Sequence, residues 1–110
     1  MSEQEIEQEI QAKGLNAPRL TPEHIDSMIV AEDYYVFTGT TFTVCVLVLK
    51  NGAIVSGESA CVSPENFNEE IGKKIAREKA REKIWQLEGY LLKQRLYEAI
   101  KEPAGLTELP

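Results

Sequence analysis

The sequence predicts an α+β domain with an N-terminal helix or helices, a three-stranded antiparallel meander, and a long C-terminal helix packed on the sheet. Three observations predict it. Residues 41–50 and 53–60 are rich in β-branched and aliphatic side chains and flank Asn51-Gly52, the strongest short hairpin signal. Tyr34-Tyr35-Val36-Phe37 is a further strand-like run, set off from the hairpin by the turn residues Thr38-Gly39-Thr40. From Ser63-Pro64 onward, apolar residues recur at helical spacing to about residue 101.

Residues 3–13 suit a short helix, with Ile6 and Ile10 four apart and Gly14 just beyond its end. So few apolar residues cannot hold it alone, so it docks or frays. Residues 16–20 read as a linker. Thr21-Pro22-Glu23 supplies a cap, a first-position proline and a first-turn acid for a helix that carries Ile25, Met28 and Ile29 on one side and ends near Ala31. His24, in its first turn, reads as a surface residue.

A two-residue type I′ turn at Asn51-Gly52 sets Val48 opposite Val55, Val46 opposite Gly57 and Cys45 opposite Glu58. In that register Phe42, Val44, Val46, Val48, Val55 and Cys61 share one face. The other carries Cys45, Leu47, Leu49, Ile54 and Ala60 beside Thr43, Ser56 and Glu58. Neither face is polar enough to be simply solvated, so both call for cover by helices or by another subunit.

Ser63 and Pro64 suit the start of the long helix, and Asn66 with Glu69 offers a second capping arrangement. Phe67, Ile71, Trp85, Leu92 and Leu96 fall on one side of that helix, with Ala76, Ala80, Ile84, Leu87 and Leu91 nearly opposite. Gly72, Ala76 and Ala80, small and spaced by four, let a sheet or second helix approach closely. A helix from 64 to 101 would run about 55 Å, against a radius of gyration of about 13 Å for a compact chain of this size. Either Gly89 interrupts it or its C-terminal half projects and packs on another chain.

At 110 residues the chain reads as residues 1–20, an acidic helix and linker; residues 21–101, a single α+β domain; and residues 102–110, a flexible tail. The acidic opening is unlike a secretory signal, and no run approaches membrane-spanning length, so the cytoplasm is expected and a membrane is not. Cys45 and Cys61 point to opposite faces in the register above and read as small apolar side chains without a disulfide. With His24 they are too few and too scattered for zinc. No cofactor is expected.

The net charge of −6 is unevenly spread. Glu3, Glu5, Glu7, Glu9, Glu23, Asp26, Glu32 and Asp33 crowd the first third, whereas the long helix carries Lys73, Lys74, Arg77, Lys79, Arg81 and Lys83. Pairs at helical spacing, Glu69 to Lys73, Glu70 to Lys74 and Glu78 to Arg81, account for much of the basic cluster as a solvated surface. What remains suits an anionic partner. Lys73, Lys74, Arg77 and Arg81, with Glu58 and Ser59, are the candidate binding residues. Glu58, on a largely apolar face, calls for a cation such as Arg77 or Lys74. A structural ion pair outranks a catalytic role, because no second acid, metal ligand or nucleophile accompanies it.

Taken together, residues 46–52, 57–61, 64–67, 71–77 and 84–92, with Leu20-Thr21-Pro22 and Ala31-Glu32 upstream, resemble a family of small tailed-phage and prophage proteins of the gene-66 type. The resemblance spans roughly residues 5–96. It implies phage origin and the host cytoplasm, and it transfers no catalytic residue. Small phage proteins of this size commonly serve host takeover or defence evasion, which is an analogy of context.

The leading expectation is therefore a non-enzymatic phage accessory protein that binds a host protein or a small anionic ligand. The alternative is nucleic-acid binding through the run 72–77, because the order helix, three strands, helix is similar to double-stranded-RNA-binding domains. The acidic balance argues against it. An enzyme using Glu58 as acid or base ranks third. The surplus apolar surface predicts a homo-oligomer, most simply a twofold dimer, with Trp85, Leu92 and Leu96 at the interface.

Overall fold

A computed structural model describes residues 2–101. The chain runs α1 (Glu3–Ala12), α2 (Pro22–Ser27), β1 (Ile29–Val36), β2 (Thr43–Leu49), β3 (Ile54–Ser59), a 3₁₀ turn (Pro64–Asn66) and α3 (Glu69–Lys101). The strands form an antiparallel sheet in the order β1-β2-β3. α3 lies across one face of it, over β3 and β2, and α2 closes the end beside β1. This is the expected α+β architecture. The flexible tail expected over residues 102–110 lies outside the described residues.

The hairpin loop is one residue longer than a type I′ turn. Leu49 N–H donates to the Ala53 carbonyl at 2.8 Å, so the loop is Lys50-Asn51-Gly52. Gly52 takes the left-handed conformation (φ 89°), and Asn51 Oδ1 accepts from Ala53 N–H at 3.0 Å. Leu47 therefore faces Val55 and Cys45 faces Gly57. This one-residue difference turns β3 over relative to the expected register. Val55, Gly57 and Ser59 join Thr43, Cys45, Leu47 and Leu49 beneath α3, and Ile54, Ser56 and Glu58 face outward.

Close packing accounts for the preference. A Cβ at residue 57 would sit 2.3 Å from the Ala76 carbonyl oxygen and 2.4 Å from the Ala80 nitrogen, both backbone atoms, so only glycine lets α3 lie this near. Ala76 and Ala80 are fully buried there, as their small size and spacing predict. With Ile25, Cys45, Leu47, Leu49, Val55 and Ile84 they make the core, and Leu20, Met28, Ile29, Tyr34 and Trp85 pack around it.

Three boundaries differ from expectation. α2 stops at Ser27 and leaves Ile29 onward to β1, because β2 offers partners as far as Leu49 for Ile29, and Lys50 N–H reaches the Met28 carbonyl at 3.0 Å. Ser63 makes no side-chain cap and opens only the 3₁₀ turn. Phe67 is extended (ψ 129°), and the cap of α3 is Asn68, whose Oδ1 accepts from Ile71 N–H at 3.0 Å. Gly89 does not interrupt α3, whose 33 residues span about 50 Å.

Candidate binding surfaces

The buried line of α3 is Gly72, Ala76, Ala80, Ile84 and Glu88, each four residues from the last. It divides the helix into two flanks. One, Lys73, Arg77, Arg81 and Trp85, looks toward β1, α2 and α1. The other, Ile71, Ile75, Lys79, Lys83, Leu87 and Leu91, overhangs the β3 side, and all six are exposed.

The first flank meets the acidic N-terminal third. Arg77 Nε donates to Glu32 at 3.1 Å and Arg81 Nε to Asp26 at 2.8 Å. Arg81 also donates to Glu3 and to the Pro22 carbonyl, and Trp85 Nε1 donates to Glu3 at 3.1 Å. The Tyr34 hydroxyl donates to Glu32, and that bond, with Arg77, holds the Glu32 carboxyl below its ordinary value. Burial and the same carboxylate push the Tyr34 hydroxyl up, and burial pushes the Cys45 thiol up. Lys73 stands 5.6 Å from the Tyr34 ring centroid. Lys73 and Lys74 approach Glu69 and Glu70 only at 3.8 Å, at exposed sites where such pairs contribute little. The basic cluster is therefore not one patch: Arg77 and Arg81 face carboxylates far away in sequence, and Lys74 points elsewhere. The expected Glu78 to Arg81 pairing gives way to Glu3 and Asp26.

Glu58 is not buried, which corrects the expectation of a partner from Arg77 or Lys74. The β3 register puts it on the sheet face opposite α3, exposed to solvent. Ser59 faces α3, buried, and its hydroxyl donates to the Gly72 carbonyl at 2.7 Å. A cavity of about 170 Å³ beside it is lined by Thr41, Cys61, Phe67, Ile71 and Ile75, but not by Glu58. The six candidate binding residues thus do not converge.

Trp85 is half-buried between the core and α1. Leu92 lines a shallow cavity with Arg19, Leu20 and His24, and Leu96 is half-exposed near the end of α3. Sequence spacing missed two contacts. His24 Nε2 lies 2.8 Å from buried Glu88, and Arg19 grips buried Glu7. Among the described residues no three His, Cys, Asp or Glu side chains gather as a metal site requires.

The sheet face opposite α3 is apolar, and among the described residues no helix covers it. Val44, Val46 and Val48 run along its centre, half-exposed, between Tyr35 (57% exposed) on one side and Ile54 (65%) on the other. Phe37 packs edge-on against Tyr35. Of the strand residues that share this face, the two charged ones, Asp33 and Glu58, are acidic.

No curated protein and no solved structure is similar enough to the chain to count as a match. One family does match, over residues 20–96, the stretch that contains α2, the whole sheet and nearly all of α3. By that match the chain belongs to the Phage protein (N4 Gp49/phage Sf6 gene 66) family.

Proposed function

We propose that the protein is a non-enzymatic phage accessory protein that acts in the host cytoplasm by contact with a host protein, and that the open face of its sheet makes the contact. The observation that carries this reading is the uncovered row Val44, Val46 and Val48 between Tyr35 and Ile54. Contiguous apolar surface of this kind is uncommon on monomers and marks interaction sites. Its acidic companions, Asp33 and Glu58, suit a partner with an apolar surface rimmed by Lys or Arg, and they oppose stacking of two such faces on each other. A small anionic ligand and nucleic acid fit less well, because Arg77 and Arg81 are engaged by carboxylates of the same chain.

The test is capture from host lysate by the wild type and by Val46→Lys/Ile54→Lys, each checked for an unchanged fold. The reading expects proteins held by the wild type and lost by the variant. Equal capture by both, or a low-salt gel shift by the wild type that the variant retains, would discard it.

The same reading includes a twofold dimer, but on the β3 side. β3 is an edge strand, and the exposed flank of α3 beside it carries Ile71, Ile75, Leu87 and Leu91. Trp85, the expected anchor, is engaged by Glu3 on the opposite flank.

A further inference from the structure

The family match begins at residue 20, so α1 stands in front of the matched core. Among the described residues, its hydrogen bonds to α3 run through one carboxylate, while Glu7 ties the same helix to Arg19. Glu3 accepts from both the Arg81 guanidinium and the Trp85 indole N–H. Around that contact α1 does not fill the surface it covers. Glu3, Ile6, Glu7, Pro22 and Trp85 line a cavity of about 320 Å³ on one side. Ser2, Glu78, Arg81 and Glu82 with Glu3 and Trp85 line another of about 360 Å³ on the other. Ile6, which a docked amphipathic helix would bury, is 45% exposed.

Beneath α1 the receiving groups are held independently of it. The Arg81 side chain is 14% exposed and is fixed by Asp26 and the Pro22 carbonyl. Trp85 packs on the core through its ring. With Glu3 withdrawn, a guanidinium edge and an indole N–H remain side by side, with Pro22 next to the indole. That is a receptor for a carboxylate on an amphipathic helix.

We infer that Arg81 and Trp85 form a binding site for an acidic helical segment of another protein, and that α1 is a strap occupying this site in cis. The occupant in cis defines the ligand: a helix with a carboxylate in its first turn and an aliphatic side chain one turn later, as Glu3 and Ile6 present. The site lies on the covered side of the sheet, so its success or failure is separate from that of the open face.

Trp85 is the only tryptophan in the chain, so its fluorescence reports on the strap directly. In Glu3→Ala, acrylamide should quench Trp85 more strongly than in the wild type. A fluorescein-labelled peptide of residues 2–15 should bind that variant about tenfold more tightly than the wild type, where the tethered strap competes at an effective concentration on the order of millimolar. The same peptide carrying Glu3→Ala should bind neither. In the wild-type chain, added salt should raise the quenching, because the Glu3 side chain is 38% exposed and its charge is screened. Quenching unchanged by salt and by Glu3→Ala, with no peptide uptake by either chain, overturns the inference.

Discussion

Glu7 is a buried carboxylate that three donors make tolerable. Arg19 reaches its two oxygens through Nη1 and Nη2, each at 2.8 Å, and Gln11 adds a bond at 2.8 Å. Hydrogen bonding by Arg19, then by Gln11, holds its carboxyl down to about 2, against 4.5 for the free group. A folded value below the unfolded one means that the pair stabilises fully above pH 4.5 and that this contribution is lost as the pH falls toward about 2. Urea midpoints measured in steps across that window should therefore fall with acid. Glu7→Gln, already uncharged, should show a shallower fall, and an equal slope in both chains would refute the assignment. These contacts also mark the limit of what the sequence discloses at this scale. Two charge blocks are plain in the sequence, an acidic first third and a basic helix. Pairing rules reach only three or four residues along a helix, however, whereas Arg77 and Arg81 find carboxylates 45, 55 and 78 residues away. The two arginines of the basic block thus meet carboxylates of the acidic one.

Among the elements, the helix and strand types follow from periodicity, but the faces of β3 do not. Asn51-Gly52 is compatible with a two-residue and a three-residue loop, and the difference of one residue decides whether Glu58 lies under α3 or in solvent. What selects the longer loop is the steric need for Gly57 under Ala76 and Ala80, a contact between segments some 20 residues apart in sequence. The small residues of α3 were legible as a site of close approach; their partner glycine was not. Gly89 posed a similar ambiguity, hinge or helix interior. It is helix interior, and a Cβ built there meets nothing nearer than Leu20 Cδ1 at 3.9 Å. Gly89→Ala should then raise stability by about 1 kcal/mol, since the unfolded chain loses freedom and the helix gains a better former. Thermal melts monitored at the helix band give the sign, and a lower melting temperature would mean that the chain bends at this position.

At the scale of the whole molecule the long helix makes the chain extended. Its radius of gyration is 18.4 Å and its extents are 61 × 33 × 26 Å, against about 13 Å expected for a compact chain of this length. The excess comes from α3, which outruns the sheet after Glu88 and leaves Tyr90 and Ile100 more than 70% exposed. Of the two sheet edges, β1 carries a register shift between Ile29 and Ala31 and two adjacent acids, devices that discourage strand addition. β3 is regular. With Val55, Gly57 and Ser59 directed at β2, the backbone groups of Ile54, Ser56 and Glu58 point outward, free to pair. A twofold axis at Ser56 would join two β3 strands antiparallel into a six-stranded sheet. Because Gly57 lies under Ala76 and Ala80, the same axis passes near Lys79 on α3, so Ile71 would approach Leu87 of a second copy. Two α3 helices would then lie side by side at an ordinary packing distance of about 8–10 Å, with Glu78 and Glu82 next to the lysines of the facing flank. Light scattering on the purified chain should give twice the single-chain mass. Ile75→Glu/Leu87→Glu alters two side chains that are 42% and 50% exposed in the single chain, so its fold should survive. Each lost aliphatic contact removes about 2 kcal/mol from the dimer, so the dissociation constant should rise by at least about a hundredfold. A single-chain mass for the wild type, or a dimer that survives both substitutions, would rule out this interface.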